Sequence, residues 1–198
     1  MDEIARILCI GDSHTAGFPF YDPFYGGDQH SSYEYWLEMK LSAENKHKQF
    51  RLDNQGVCGQ TSLQILSRLS TILDKKRYDL ILLWAGANDI ELGYTAESIY
   101  ENLMNSVMIA KKKNTPIFII TIPPMVWIEI HPTIIDLNQT IITHSGNDFT
   151  SIDVFNELSE GGFLNSRFDS GDGVHLSIEG YKKVASIVFK NLQARINL

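Results

Sequence analysis

Ile4-Ala5-Arg6-Ile7-Leu8-Cys9-Ile10 is a β-branched and apolar run that breaks abruptly into Gly11-Asp12-Ser13. A run of that length, closed by turn-forming residues, reads as a strand emptying into a loop. Four further runs of this kind follow, at residues 48–54, 79–85, 116–122 and 149–155. Between them the apolar period lengthens to that of a helix. In 61–75, Leu63, Leu66, Leu69 and Leu73 share a face behind a Thr61-Ser62-Leu63-Gln64 capping box. In 96–112 the stripe is Ile99, Leu103, Val107 and Ala110, and Lys111 to Lys113 close the helix where its dipole favours positive charge. A last helix follows Ser177 as N-cap and turns Val184, Ile187, Val188 and Leu192 inward. Strands alternating with helices need crossover connections, so the expected fold class is α/β: a three-layer sandwich around a mainly parallel sheet covered on both faces.

Composition narrows the function. The chain has 198 residues, 43% of them hydrophobic, which suits one domain (1–198) whose core buries about 70% of the unfolded surface. Lys and Arg total 17 against 24 Asp and Glu, a formal charge of −7, so no basic surplus is available for nucleic acid. Met1-Asp2-Glu3-Ile4 lacks a basic-then-apolar leader, and no apolar run approaches the ~20 residues of a membrane span. The expectation is a soluble, cytoplasmic protein. Cys9 and Cys58 have no metal-ligand spacing and read as two reduced thiols. Oligomeric state stays open.

In open parallel sheets, functional groups gather beyond the carboxyl ends of the strands. Gly11-Asp12-Ser13 follows the first run, Asn54-Gln55-Gly56-Val57-Cys58-Gly59-Gln60-Thr61 the second, and Gly86-Ala87-Asn88-Asp89 the third. Asp172-Gly173-Val174-His175 stands just before the last helix. A serine hydroxyl needs a base within hydrogen-bond reach, and His175 is the natural candidate because imidazole is largely neutral at pH 7. Asp172, three residues earlier, could hold that ring in one tautomer. Attack on an acyl carbonyl would place negative charge on oxygen, for which the Asn88 amide and the backbone N–H groups of Ser13 and Gly59 are suitable donors.

These four blocks, in this order and spacing, resemble the SGNH hydrolases, the GDSL-type esterases and lipases. The resemblance implies Ser13 as nucleophile, His175 as base, Asp172 as its orienting partner, and Ser13, Gly59 and Asn88 as oxyanion hole. It also implies a flavodoxin-like sandwich around a five-stranded parallel sheet, with no cofactor. His14 stands where the family's namesake has leucine, a change expected to leave the catalytic set untouched. Block two offers Gly56 and Gly59, and the Gly59-Gln60-Thr61 context at a helix start favours the latter.

Each block alone is weak, since Gly-Asp-Ser arises by chance in on the order of a few per cent of chains this long, and the others are ordinary turns or caps. Three of them follow three successive strand runs and the fourth lies where the resembled family places it, and this joint occurrence is what points to a serine esterase acting on a small or medium acyl ester. The alternatives are a non-catalytic lipid- or glycan-binding module, and an enzyme acting on a thioester or an acetylated sugar. No metal is expected, because strand alternation would direct Ser13 and His14 apart and no paired-ligand spacing occurs. Cys58 reads as a small buried residue beside the oxyanion loop. Eight of the 21 aromatic residues fall between Phe18 and Trp36, so Phe18, Phe20 and Tyr25 are candidates for one substrate wall. Met125 and Trp127, after the fourth run, are candidates for a second. Core packing or a dimer interface would account for the same aromatics equally well.

Overall fold

The computed structural model describes residues 3–45 and 47–195. Five parallel strands form the central sheet: β1 (Glu3–Gly11), β2 (Lys48–Gly56), β3 (Leu80–Trp84), β4 (Ile117–Ile120) and β5 (Thr150–Ile152). Their order is β2-β1-β3-β4-β5, the flavodoxin-like arrangement whose strand order reverses between β1 and β3. Eight α-helices accompany them among the described residues. They are α1 (Ser13–Ala16), α2 (Tyr33–Glu44), α3 (Ser62–Lys75), α4 (Ala87–Glu91), α5 (Ala96–Lys112), α6 (His131–Thr143), α7 (Phe155–Leu158) and α8 (Ile178–Arg195).

Alternation along the strands divides the core in two. Leu8, Ile10, Ile81, Leu83, Ile117 and Ile119 meet α3, α5 and α6 on one face. Ile7, Cys9, Leu80, Leu82, Trp84, Phe118 and Ile120 meet α2 and α8 on the other. Because both faces are covered, β3 is buried at every position, as a central parallel strand must be. The expected stripes of α5 and α8 are buried as predicted. In α3 the inward face is rotated: Leu63 is exposed while Ile65, Leu69 and Leu73 are buried. Ser62 and Ile65, not Leu63, face the core because Asp89 captures Ser62 at the start of the helix.

Two helices depart from the sequence reading. Tyr33–Glu44 is helical, capped by the Ser32 hydroxyl, and buries Tyr33, Leu37 and Leu41. The aromatic segment is therefore partly core. His131–Thr143 is also a helix, with proline in its first turn and Ile134, Leu137 and Ile141 inward. The last two strand runs are shorter than expected, because residues 121–122 and 153–154 leave the ladder for loops and Phe155 opens α7.

Candidate active site

At the end of β1 the chain comes so close to β3 that a Cβ on Gly11 would lie 2.2 Å from the Trp84 carbonyl oxygen and 2.1 Å from Thr15 Oγ1. Only glycine fits there. The chain then turns into the single turn α1, whose N-cap Asp12 accepts from the His14 backbone N–H at 3.0 Å. Ser13 is thereby fixed at the carboxyl edge of the sheet, 6% exposed.

His175 arrives from the other end of the chain. The loop that carries it is folded by its own carboxylates: Asp169 accepts from the N–H groups of Gly171 and Gly173, and Asp172 Oδ1 accepts from those of Val174 and His175 at 2.9 and 2.8 Å. Asp172 Oδ2 accepts from His175 Nδ1–H at 2.7 Å. With that proton on Nδ1, Nε2 is the acceptor, and Ser13 Oγ–H donates to it at 3.0 Å. Residues 162 positions apart thus share one proton path. Burial and the neighbouring His14 hold His175 below its ordinary 6.5, against the pull of Asp172. Partial burial raises Asp172, but the hydrogen bonds from the His175 backbone and ring and from Val174 outweigh it and bring it to about 2. At neutral pH the pair is therefore neutral imidazole and carboxylate.

Asn88 stands on α4 just beyond β3, next to β1 at the point of strand reversal. Its Nδ2 donates one hydrogen to the Gln60 carbonyl at 3.0 Å, which leaves the second for a ligand. Gly59, at φ +77°, makes the turn that lets this loop reach Asn88, and a Cβ there would meet open space. Gly56 is instead the buried end of β2, packed on Ala16. The backbone N–H groups of Ser13 and Gly59 have no acceptor among the described residues. Two anchors hold the donors in place. Asp89 accepts from Ser62 N–H and Oγ–H at 2.7 and 2.6 Å, and Arg68 donates to the carbonyls of Gln55 and Gly11.

These groups enclose a pocket of about 170 Å³ lined by Ser13, Phe18, Gly59, Asn88 and His175, together with His14, Cys58, Ala87, Glu91 and Val174. Of the expected substrate walls it contains Phe18 alone, whose ring meets His175 edge-on at 4.5 Å. Phe20 and Tyr25 are 50% and 93% exposed and stand outside the lining, because the chain after Phe18 leaves in a short hairpin of Tyr21–Asp22 and Gly26–Gly27. Met125 is wholly buried, so it belongs to the core. Trp127 is at the surface, outside the pocket. The segment that carries them braces the His175 loop instead: Val126 N–H donates to the Gly173 carbonyl at 3.0 Å. Cys58 corrects another expectation, being exposed on the pocket wall.

His14 is the residue that sequence reasoning undervalued. It is 1% exposed, its ring lies 5.4 Å from that of His175, and its Nε2–H donates to the Val174 carbonyl at 3.0 Å. It ties the Ser13 segment directly to the His175 loop. Its Nδ1 lies 3.5 Å from Asp12 Oδ1, too far for a strong hydrogen bond but close enough for charge. Burial lowers its pKa, yet Asp12 prevails and the net shift is upward from 6.5. No group of three or more metal-ligating side chains occurs among the described residues, and no described helix is long and apolar enough to cross a membrane.

Fold and motif order together define a class. Residues 9–183 match the GDSL-like lipase/acylhydrolase family, and the chain belongs to it. An arylesterase of Vibrio mimicus is 29% identical over 122 residues, which span 60% of this chain and 56% of that one. A protein of Acetivibrio thermocellus provisionally named endoglucanase X is 30% identical over 128 residues, 64% and 55% of the two chains. The chain thus spans little more than half the length of these curated relatives. Among solved structures, the lipase/acylhydrolase from Enterococcus faecalis superposes with a TM-score of 0.76 at 20% identity, covering 96% of both chains. TesA does so at 0.78 and 20% identity, over 96% and 98%. At that identity the structural likeness speaks for the fold.

Proposed function

We propose that this hydrolase-family protein is a serine esterase that cleaves small carboxylic esters through an acyl-enzyme. Ser13 Oγ attacks the carbonyl carbon as its proton passes to His175 Nε2, and Asp172 holds the resulting imidazolium in place. The N–H groups of Ser13 and Gly59 and the second amide hydrogen of Asn88 receive the developing oxyanion. Collapse expels the alcohol, which takes the proton from His175. Water then attacks the acyl-Ser13 ester, giving its proton to the same nitrogen, and the acid and the free serine are restored.

The observation that carries this reading is the unbroken hydrogen-bond chain from Ser13 through His175 to Asp172, at 3.0 and 2.7 Å, beside an Asn88 amide with a hydrogen to offer. Pocket size supports a short acyl group: about 170 Å³ is well under the roughly 300–1,000 Å³ of sites for drug-sized ligands. The test is p-nitrophenyl acetate hydrolysis by the wild type and by Ser13→Ala. Loss of on the order of 10⁴-fold or more in a variant that stays folded is the expected result, and an unchanged rate would refute it.

A further inference from the structure

The charged groups around the pocket differ in how well each charge is answered. Asp172 accepts three hydrogen bonds from its own loop. Asp12 accepts from the His14 N–H and faces that residue's ring. The Glu91 carboxylate has neither kind of support: it makes no hydrogen bond or ion pair with any described side chain or backbone group, although the residue lines the pocket with Ser13 and His175. It lies three residues beyond Asn88 on α4, and that spacing puts both side chains on the same side of the helix. No lysine or arginine lines the pocket.

We propose that Glu91 gives the site its substrate class, namely short-chain esters whose alcohol portion carries a positive charge. This rests on the esterase reading. The acyl group belongs in the enclosed space beside the nearly buried Ser13, whereas Glu91 is on the exposed rim, where the alcohol meets solvent. Phe18 lines the same pocket, so an ammonium group would find an aromatic surface and a carboxylate together, two features that bind such cations. The local field agrees. Partial burial pushes the Glu91 carboxyl upward, and Asp12 and Asp172 add to this against the pull of His14, so a cation there offsets the repulsion from those two carboxylates.

Acetylcholine and its uncharged carbon analogue 3,3-dimethylbutyl acetate have nearly the same shape. Acid release in a pH-stat gives kcat/KM for each, with Ser13→Ala as the control for both. Their ratio in the wild type, divided by the same ratio in Glu91→Gln, isolates the charge. A quotient of about fivefold or more, shrinking in 0.5 M salt and inverted by Glu91→Lys, is expected. A quotient of one overturns the proposal, as does Ser13-dependent turnover of the neutral ester with none of acetylcholine. In either case the esterase reading survives. If neither these esters nor p-nitrophenyl acetate shows Ser13-dependent hydrolysis, it is the esterase reading that fails, and this proposal falls with it.

Discussion

The two ends of the sheet offer two cavities of opposite character. At the amino ends of β3 and β4 a cavity of about 690 Å³ is lined by Lys75, Lys76, Arg77, Lys112 and Lys113, with Asp74 and Asp79. At the carboxyl ends the pocket beside Ser13 has about a quarter of that volume, 170 Å³. The larger cavity is explained by helix ends. Its cations close α3 and α5, where the dipoles favour them, and Lys76 and Lys113 pair with Asp53 and Asp74 at 2.5 and 2.8 Å. The smaller one holds buried groups from distant segments that point at one another. Convergence of polar groups, and not volume, is what the proposed site rests on.

The contrast can be broken or sharpened by substitution. Asn88→Ala removes the proposed side-chain oxyanion donor and is expected to lower kcat by about 10²–10³-fold with little change in KM. A far smaller loss, measured with p-nitrophenyl acetate, would remove Asn88 from the oxyanion hole. His14→Leu keeps the bulk but loses both the strut to Val174 and the charge beside His175. A fall in kcat of about tenfold is expected from the loosened base loop. The sign of the accompanying pH effect follows from the charges. His14 lowers the His175 pKa, so the wild-type rate should hold to below pH 6.5 and then fall on further acidification, while in His14→Leu the acid limb should move upward. His14→Gln, which retains a donor without the charge, should recover part of kcat but keep the shifted limb. A pH–rate profile unmoved in both variants would leave His14 as packing alone. Smallest of all, the double change Arg77→Ala and Lys112→Ala should alter the rate by less than about twofold, because screened surface cations at the far end of the sheet add little. A large loss would mean that the amino end takes part.

The architecture was legible because its cause is local. Five short runs, and the helical periods of α3, α5 and α8, follow from side-chain alternation; strand exits then locate Ser13, Gly59 and Asn88 without any knowledge of strand order, and the start of the last helix locates His175. Less was legible where tertiary packing decides. Tyr33-Glu34-Tyr35-Trp36 reads as an aromatic patch, yet it opens α2 because Tyr33 and Leu37 find a home under α8. The helix His131–Thr143 went unmarked among the expected apolar stripes, although Pro132 is well placed in its first turn. The role of His14 was hidden by treating residues 13 and 14 as extended chain, in which neighbours point apart. The backbone instead turns helical at Ser13, and both side chains reach the pocket. Met125 was misread for the opposite reason, since a residue after a strand can return to the core while its neighbour Val126 supports the loop across from it.

The hydroxyl of Ser13 is held to be activated by His175, and a fluorophosphonate probe reads that property without any choice of ester. Peptide mapping after exposure of the folded protein should find the phosphonyl adduct on Ser13, formed more slowly as the pH drops below 6.5. An unmodified Ser13 across pH 5 to 8 would contradict the account.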